Sequence, residues 1–391
     1  MIGLKPKTSA NLSAHCYFPT CAPSRAILLC LAIVTLTTSM MFTSQAHAQF
    51  NYQLKLEASP EYDSNARRVA EGGQEPVVSD WLTRWSFIGQ TEYLSENRRH
   101  NINALYYTGG KLFFDEHDED VLVNGADAGY RYRAARDVML GVAGAAKDST
   151  QKVSRRDYST AGGYGQIFIF LWPRSYTELR GGYRLFHYKP LHDFSYAGPA
   201  IGVNITQDLP YHFGVAAGYD FHYRNYEMKS YQRLVLSDGQ EILNRTNQSR
   251  LDENHVVSAS LEYRSDFILR GAYYFQLNNS NSAGESVQRH RVGATGTFTP
   301  GWDIYIDLKA TLQFTQFTDG LSVSQQFFLE EDDENQTSFS ARISRLIYGP
   351  LAVEARYALY RNQFSEQDIR FMRQVVSLGL SMTVDSLEEW E

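Results

Sequence analysis

Over residues 50–384 the chain alternates apolar with polar residues in stretches of about a dozen, and after each stretch it turns back. Successive side chains of a strand point to opposite faces, so every such stretch has one apolar row and one polar row. Near 302–317, Ile304, Ile306, Leu308, Ala310, Leu312 and Phe314 form one row, and Tyr305, Asp307, Lys309, Thr311 and Gln313 form the other. Near 350–364, Leu351, Val353, Ala355, Tyr357 and Leu359 oppose Glu354 and Arg356. Near 209–226, Phe213, Val215, Ala217, Tyr219 and Phe221 oppose His212, Gly214, Gly218 and Asp220. A single strand of this kind also fits a soluble sandwich. Mid-strand charges on the second face of nearly every stretch do not, because a dry core leaves them without water.

The connections carry a second rhythm. The pattern predicts about sixteen strands, within a range of fourteen to eighteen, the first over 50–58 and the last over 367–384. Even-numbered connections are short: 95–99, 134–136, 172–174, 207–210, 265–266, 300–302 and 348–350, several punctuated by Pro or Gly. Odd ones include 67–80, 148–157, the stretch 227–252 expected to be the longest loop, and the acidic stretch 330–335. Short turns at one rim and long loops at the other are the habit of an up-and-down antiparallel barrel that crosses a membrane. The fold class read from the chain is therefore all-β, a transmembrane barrel over residues 49–391. A β-solenoid is disfavoured, since no repeat of fixed period is found.

Residues 1–48 read as a cleaved export signal. Lys5, Lys7 and Arg25 are unopposed by any acid, an apolar run covers 26–42, and Ala46-His47-Ala48 has the small-x-small cleavage pattern. The alternative, a single membrane anchor, needs about 17–25 apolar residues, and this run is at the low edge. All three cysteines (Cys16, Cys21 and Cys30) lie in the leader, so the expected mature chain has no thiol for a disulfide, a metal or a nucleophile. Losing three cations takes the net charge from −7 to about −10, which does not suit nucleic-acid binding. Aromatic residues make up 14%, with 26 Tyr and 22 Phe, as girdles at two membrane interfaces require.

Tyr62-Asp63-Ser64-Asn65, at the end of the first strand, resembles a motif of Gram-negative outer-membrane barrels, namely β-barrel porins and the barrel domains of surface-lipoprotein assembly modifiers. The likeness to the assembly modifiers is confined to their barrel. The last strand, with Met372, Val376, Leu378, Leu380 and Met382 on one row, resembles the terminal strand recognised by the barrel-insertion machinery. The resemblance implies a bacterial outer-membrane location and contact with lipid and lipopolysaccharide. Read by residue alone, Asp63-Ser64-Asn65 is a turn former that ends the strand.

If the polar row faces the lumen, its cations are Lys55, Arg84, Lys111, Arg131, Arg180, Arg184, Arg264, Arg270, Lys309, Arg342, Arg356 and Arg373. Its anions are Glu57, Asp127, Glu178, Asp220, Glu262, Asp307 and Glu354. Of these, Arg131, Glu178, Arg180, Arg184, Arg264, Arg270, Lys309, Arg342 and Arg356 are the candidate solute-facing set. Rings of Arg and Lys favour anions; cross-strand pairing that merely stiffens the wall is the competing explanation. Glu178 is expected to pair with Arg180 or Arg184. The acidic runs 115–120 and 330–334 lack a calcium-loop pattern and read as solvated loops, so neither metal nor cofactor is expected. His187, His192, Asp193 and Ser195 are the nearest approach to a hydrolase cluster, but their spacing matches no nucleophile motif, and no enzyme is expected. The reading is a channel for small solutes, anionic ones among them, or an export conduit. The alternatives are an accessory barrel with periplasmic export partners and a non-transporting structural or adhesion barrel.

Overall fold

A computed structural model describes residues 49–69, 76–153, 156–318, 337–364 and 369–386. The leader and the acidic stretch 330–335 lie outside the described residues. The strands are β1 (Gln49–Asp63), β2 (Asp80–Leu94), β3 (His100–Phe113), β4 (Val121–Ala135), β5 (Val138–Gln151), β6 (Tyr158–Trp172), β7 (Ser175–Tyr188) and β8 (Tyr196–Asp208). They continue with β9 (Phe213–Val235), β10 (Glu241–Arg264), β11 (Phe267–Ser280), β12 (Val287–Gly301), β13 (Ile304–Phe317), β14 (Thr337–Tyr348), β15 (Leu351–Phe364) and β16 (Ile369–Asp385). Each pairs antiparallel with its neighbours in sequence, and β1 pairs with β16, so the sheet closes into a sixteen-strand barrel.

Turn chemistry explains the short connections. Between β12 and β13 only Trp302 and Asp303 intervene, both at φ 56°. Tyr211 and His212, before β9, stand at φ 60° and 66°. At Trp302 and Asp303, positive φ at both central residues is the two-residue hairpin geometry whose twist matches that of the strands. Trp172, Tyr211, Trp302 and Tyr348 are exposed at or beside four of these turns, forming an aromatic fringe at one rim.

The outward row is apolar and bare. Leu54 and Leu56 on β1, Ile201 and Ile205 on β8, Leu308 and Leu312 on β13, and Leu378 and Leu380 on β16 are all exposed. A water-soluble chain rarely exposes a contiguous apolar patch beyond a few hundred Å². An apolar belt encircling a closed barrel is the surface of a membrane-spanning one, since closure leaves no unpaired strand edge facing lipid.

One expectation is corrected. The stretch 227–252 is not a loop: β9 runs for 23 residues and β10 for 24, against 12 to 17 elsewhere, and only 236–240 forms the tip. The barrel register simply continues outward, with irregularities at Arg245, Ser249 and Leu251. At about 3.4 Å per residue the extra nine or so residues carry the hairpin roughly 30 Å past its neighbours.

Candidate functional site: the charged inner wall

Ion pairs between strands that are not neighbours reveal which face is concave. Lys111 on β3 reaches Glu61 on β1 at 2.7 Å, Arg180 on β7 reaches Asp220 on β9 at 2.5 Å, and Arg342 on β14 reaches Glu57 on β1 at 3.7 Å. Side chains can span an intervening strand in this way only across the inside of the curve. Strand alternation then places the polar row inward throughout.

Two recesses lie in this wall, on adjoining arcs of the ring that share β12. The first, of about 460 Å³, spans β1, β2 and β12 to β16, and its lining includes Glu57, Arg84, Asp307, Lys309, Arg342, Glu354 and Arg356. Its charges are knitted together. Arg342 donates to Asp307 at 2.7 Å and lies 3.7 Å from both Glu57 and Glu354, while Lys55 meets Glu57 at 2.5 Å. Four cations against three carboxylates line it.

The second recess, of about 400 Å³, spans β6 to β12. Its charged lining is Arg180, Arg184, Arg224, Arg289 and Arg291 against the single carboxylate Asp220. Arg291 lies over the Tyr274 ring at 4.5 Å and Arg224 over that of Tyr196 at 5.1 Å. A guanidinium packed against an aromatic face keeps its N–H donors in the ring-parallel plane.

Two buried apolar clusters form at the long-loop ends of the strands. Phe186, Tyr188, Tyr196, Tyr226 and Met228 form one buried cluster, and Ala66, Leu82 and Phe113 another. Two buried ionic knots sit among them. In the first, the Arg373 guanidinium donates through Nε and Nη2 to the Asp63 carboxylate, with 4% and 0% of the side chains exposed. The Asp63 Oδ1 also accepts the Asn65 N–H, Ser64 N–H donates to the Gln374 carbonyl, Gln374 N–H donates to Ser64 Oγ, and Asn65 Nδ2 donates to the Met372 carbonyl. Tyr62-Asp63-Ser64-Asn65 thus turns the chain and also stitches the first strand to the last. In the second knot, Arg250 donates to both Asp252 oxygens, meets Glu285 at 3.0 Å and packs over Tyr226, anchoring the long hairpin to the β11–β12 loop.

The other candidate residues fall as follows. Arg131 lies inward over Phe168 at 5.1 Å, and Arg264 pairs with Glu262 at the short-turn rim. Arg270 is opposite Glu262 in register. Glu178 accepts from Gln166 at 2.8 Å, while Arg180 donates to Asp220 and lies within the field of Glu178. Arg224, Arg289 and Arg291 were not in the candidate set. Their signal was present, since Arg289 and Arg291 alternate with His290 and Val292, on the row opposite the exposed Val292. Ser195 does approach His187, at 3.2 Å, but it is buried and its Oγ accepts the Tyr188 N–H, the role of a turn-capping serine. In the run 115–120, Glu116 pairs with Arg67 at 2.7 Å and Asp120 accepts the Phe113 N–H. Among the described residues no cluster of metal-ligating side chains is found, and no helix is long and apolar enough to cross a membrane.

No family model matches the chain, and no curated protein matches it. Solved structures similar to it include the outer membrane protein OprD from Pseudomonas aeruginosa, at 9% identity and TM-score 0.42 over 88% of this chain and 97% of that one. The FrpB iron transporter from Neisseria meningitidis aligns at 8% identity and TM-score 0.41 over 85% and 81%. A deletion mutant of TodX, a monoaromatic hydrocarbon channel, aligns at 7% identity and TM-score 0.37 over 88% and 91%. The functional reading below rests on the chain's own residues.

Proposed function

We propose that this chain is a bacterial outer-membrane channel that passes small polar solutes through the barrel. The observation that carries the reading is the division of faces: a bare apolar exterior around a charged, recessed interior in a closed ring of sixteen strands. A ring of that size encloses more space than its side chains fill, so water occupies the remainder.

The test is conductance of the full barrel refolded into a planar bilayer, after confirming that unheated protein migrates differently from heated protein on a gel. Discrete, salt-dependent current steps are expected. Recovery of the chain from cells as a soluble periplasmic protein, or a correctly folded barrel that never conducts, would overturn the reading.

A further inference from the structure

We infer that Glu354 and Arg356, two residues apart on the lumen face of β15 in the first recess, form a binding subsite for small zwitterionic solutes that carry one ammonium and one carboxylate, the chemical class of the amino acids. This deepens the channel reading and rests on it for physiological meaning, although binding itself does not require conduction.

Opposite charges two residues apart on one strand face the same way, with backbones about 7 Å apart. In this chain such pairs close on each other: Lys55 meets Glu57 at 2.5 Å, Arg250 meets Asp252 at 2.6 Å, and Arg264 pairs with Glu262. Glu178 and Arg180 form no ion pair with each other, but each is hydrogen-bonded elsewhere, to Gln166 and Asp220. Glu354 and Arg356 stay apart without such substitutes. Among the described residues, Arg356 makes no hydrogen bond, ion pair or ring contact. Glu354 accepts no hydrogen bond and has only the loose approaches of Arg342 at 3.7 Å and Lys55 at 4.0 Å. Register gives the reason. Arg356 lies directly opposite Arg342 on β14 and Ser377 on β16, so its two cross-strand neighbours are a like charge and a neutral hydroxyl. The carboxylates of this arc, Glu57, Asp307 and Glu354, gather around Arg342 instead.

A zwitterion completes the pair that the two side chains do not make with each other. Its carboxylate presents two oxygens to the Arg356 fork, and its ammonium donates to the Glu354 oxygens. The rest of the lining suits so small and dipolar a guest. Four cations face three carboxylates, a near balance that admits a solute of zero net charge without adding to either side. The hydroxyls of Ser59, Thr295, Ser340 and Ser377 border the recess and can donate to one pole or accept from the other. Among the described residues no aromatic side chain lines it, so it offers no face for stacking a ring. A solute with one charge engages one of the two groups. A solute with both engages them together and gains the effective concentration of linked binding.

The experiment uses the full barrel refolded in detergent, with folding confirmed by the gel shift, and titrates L-alanine, L-alaninamide and N-acetyl-L-alanine by calorimetry. The amide keeps the ammonium and lacks the carboxylate; the acetylated form does the reverse. L-Alanine should bind at least tenfold more tightly than either. Arg356→Gln and Glu354→Gln should each abolish that advantage, whereas Arg245→Gln on the outer hairpin should keep it. Should a variant fail to refold, the three ligands on the parent barrel still decide whether both charges are needed. N-acetyl-L-alanine or L-alaninamide binding as tightly as L-alanine, or an L-alanine advantage indifferent to both variants, would overturn the subsite while leaving a conducting channel intact. Binding as expected in a barrel that never conducts would instead overturn the channel and keep the subsite.

Discussion

Asp63→Asn should destabilise the barrel far more than its single lost charge suggests. The side chain keeps its size and one carbonyl oxygen for the Asn65 N–H, so the perturbation is chiefly electrostatic. Arg373 is left 96% covered without this carboxylate, with the Tyr360 ring at 5.4 Å and the charge of Glu61 nearby. Removing one partner of a buried pair costs about 3–5 kcal/mol, because the survivor stays desolvated without compensation. An exposed pair offers a calibration: Arg233 and Glu241, 3.5 Å apart on the hairpin and one-third to one-half exposed, should contribute about 0–1 kcal/mol. Urea unfolding of the refolded barrel, followed by tryptophan fluorescence, would compare Asp63→Asn with Glu241→Gln. The double variant Asp63→Asn/Arg373→Gln should recover part of the loss, since it removes both charges. A cost for Asp63→Asn below about 1 kcal/mol, indistinguishable from Glu241→Gln, would refute the view that this pair clasps the first strand to the last.

Arg250→Gln would leave Asp252 and Glu285 buried without this cation; a loss of about 3–5 kcal/mol confined to the hairpin should raise amide exchange over 225–251 by roughly 150- to 5,000-fold. Protease added to intact cells should then cut near 236–240 faster than in the parent, and unchanged exchange would remove the anchoring role. Leu378→Arg, on the bare outer face near mid-strand, should cost about 2–4 kcal/mol of folding into lipid vesicles, whereas Ser377→Arg, one residue along and facing the lumen, should cost much less. Equal costs would contradict the face assignment. Arg180→Glu/Arg184→Glu replaces two cations of the second recess with anions, one beside Asp220, and should move reversal potentials in a salt gradient toward cation selectivity. Unmoved potentials would mean that this wall is not part of the conducting path.

What could be read before any coordinates was whatever period two controls. Alternation alone assigned Leu308 and Lys309 to opposite faces, and the even, short connections implied an up-and-down ring of about sixteen strands, because a strand is local and its faces follow from its own residues. The same alternation sets Arg289 and Arg291 opposite the exposed Val292 on β12. Tertiary structure decided the partners. Closing the sheet brought Glu57 on β1 to Arg342 on β14 and Asp63 to Arg373, residues at opposite ends of the chain. Curvature also carried Arg180 across β8 to donate to Asp220, a partner that its own strand does not contain. The length of the outer hairpin was hidden for a related reason: residues 227–235 and 241–252 lack a sustained apolar face, and they hold strand geometry through pairing with each other and a buried arginine at their base. Which charges meet depends on distances between strands, and those exist only once the ring has closed.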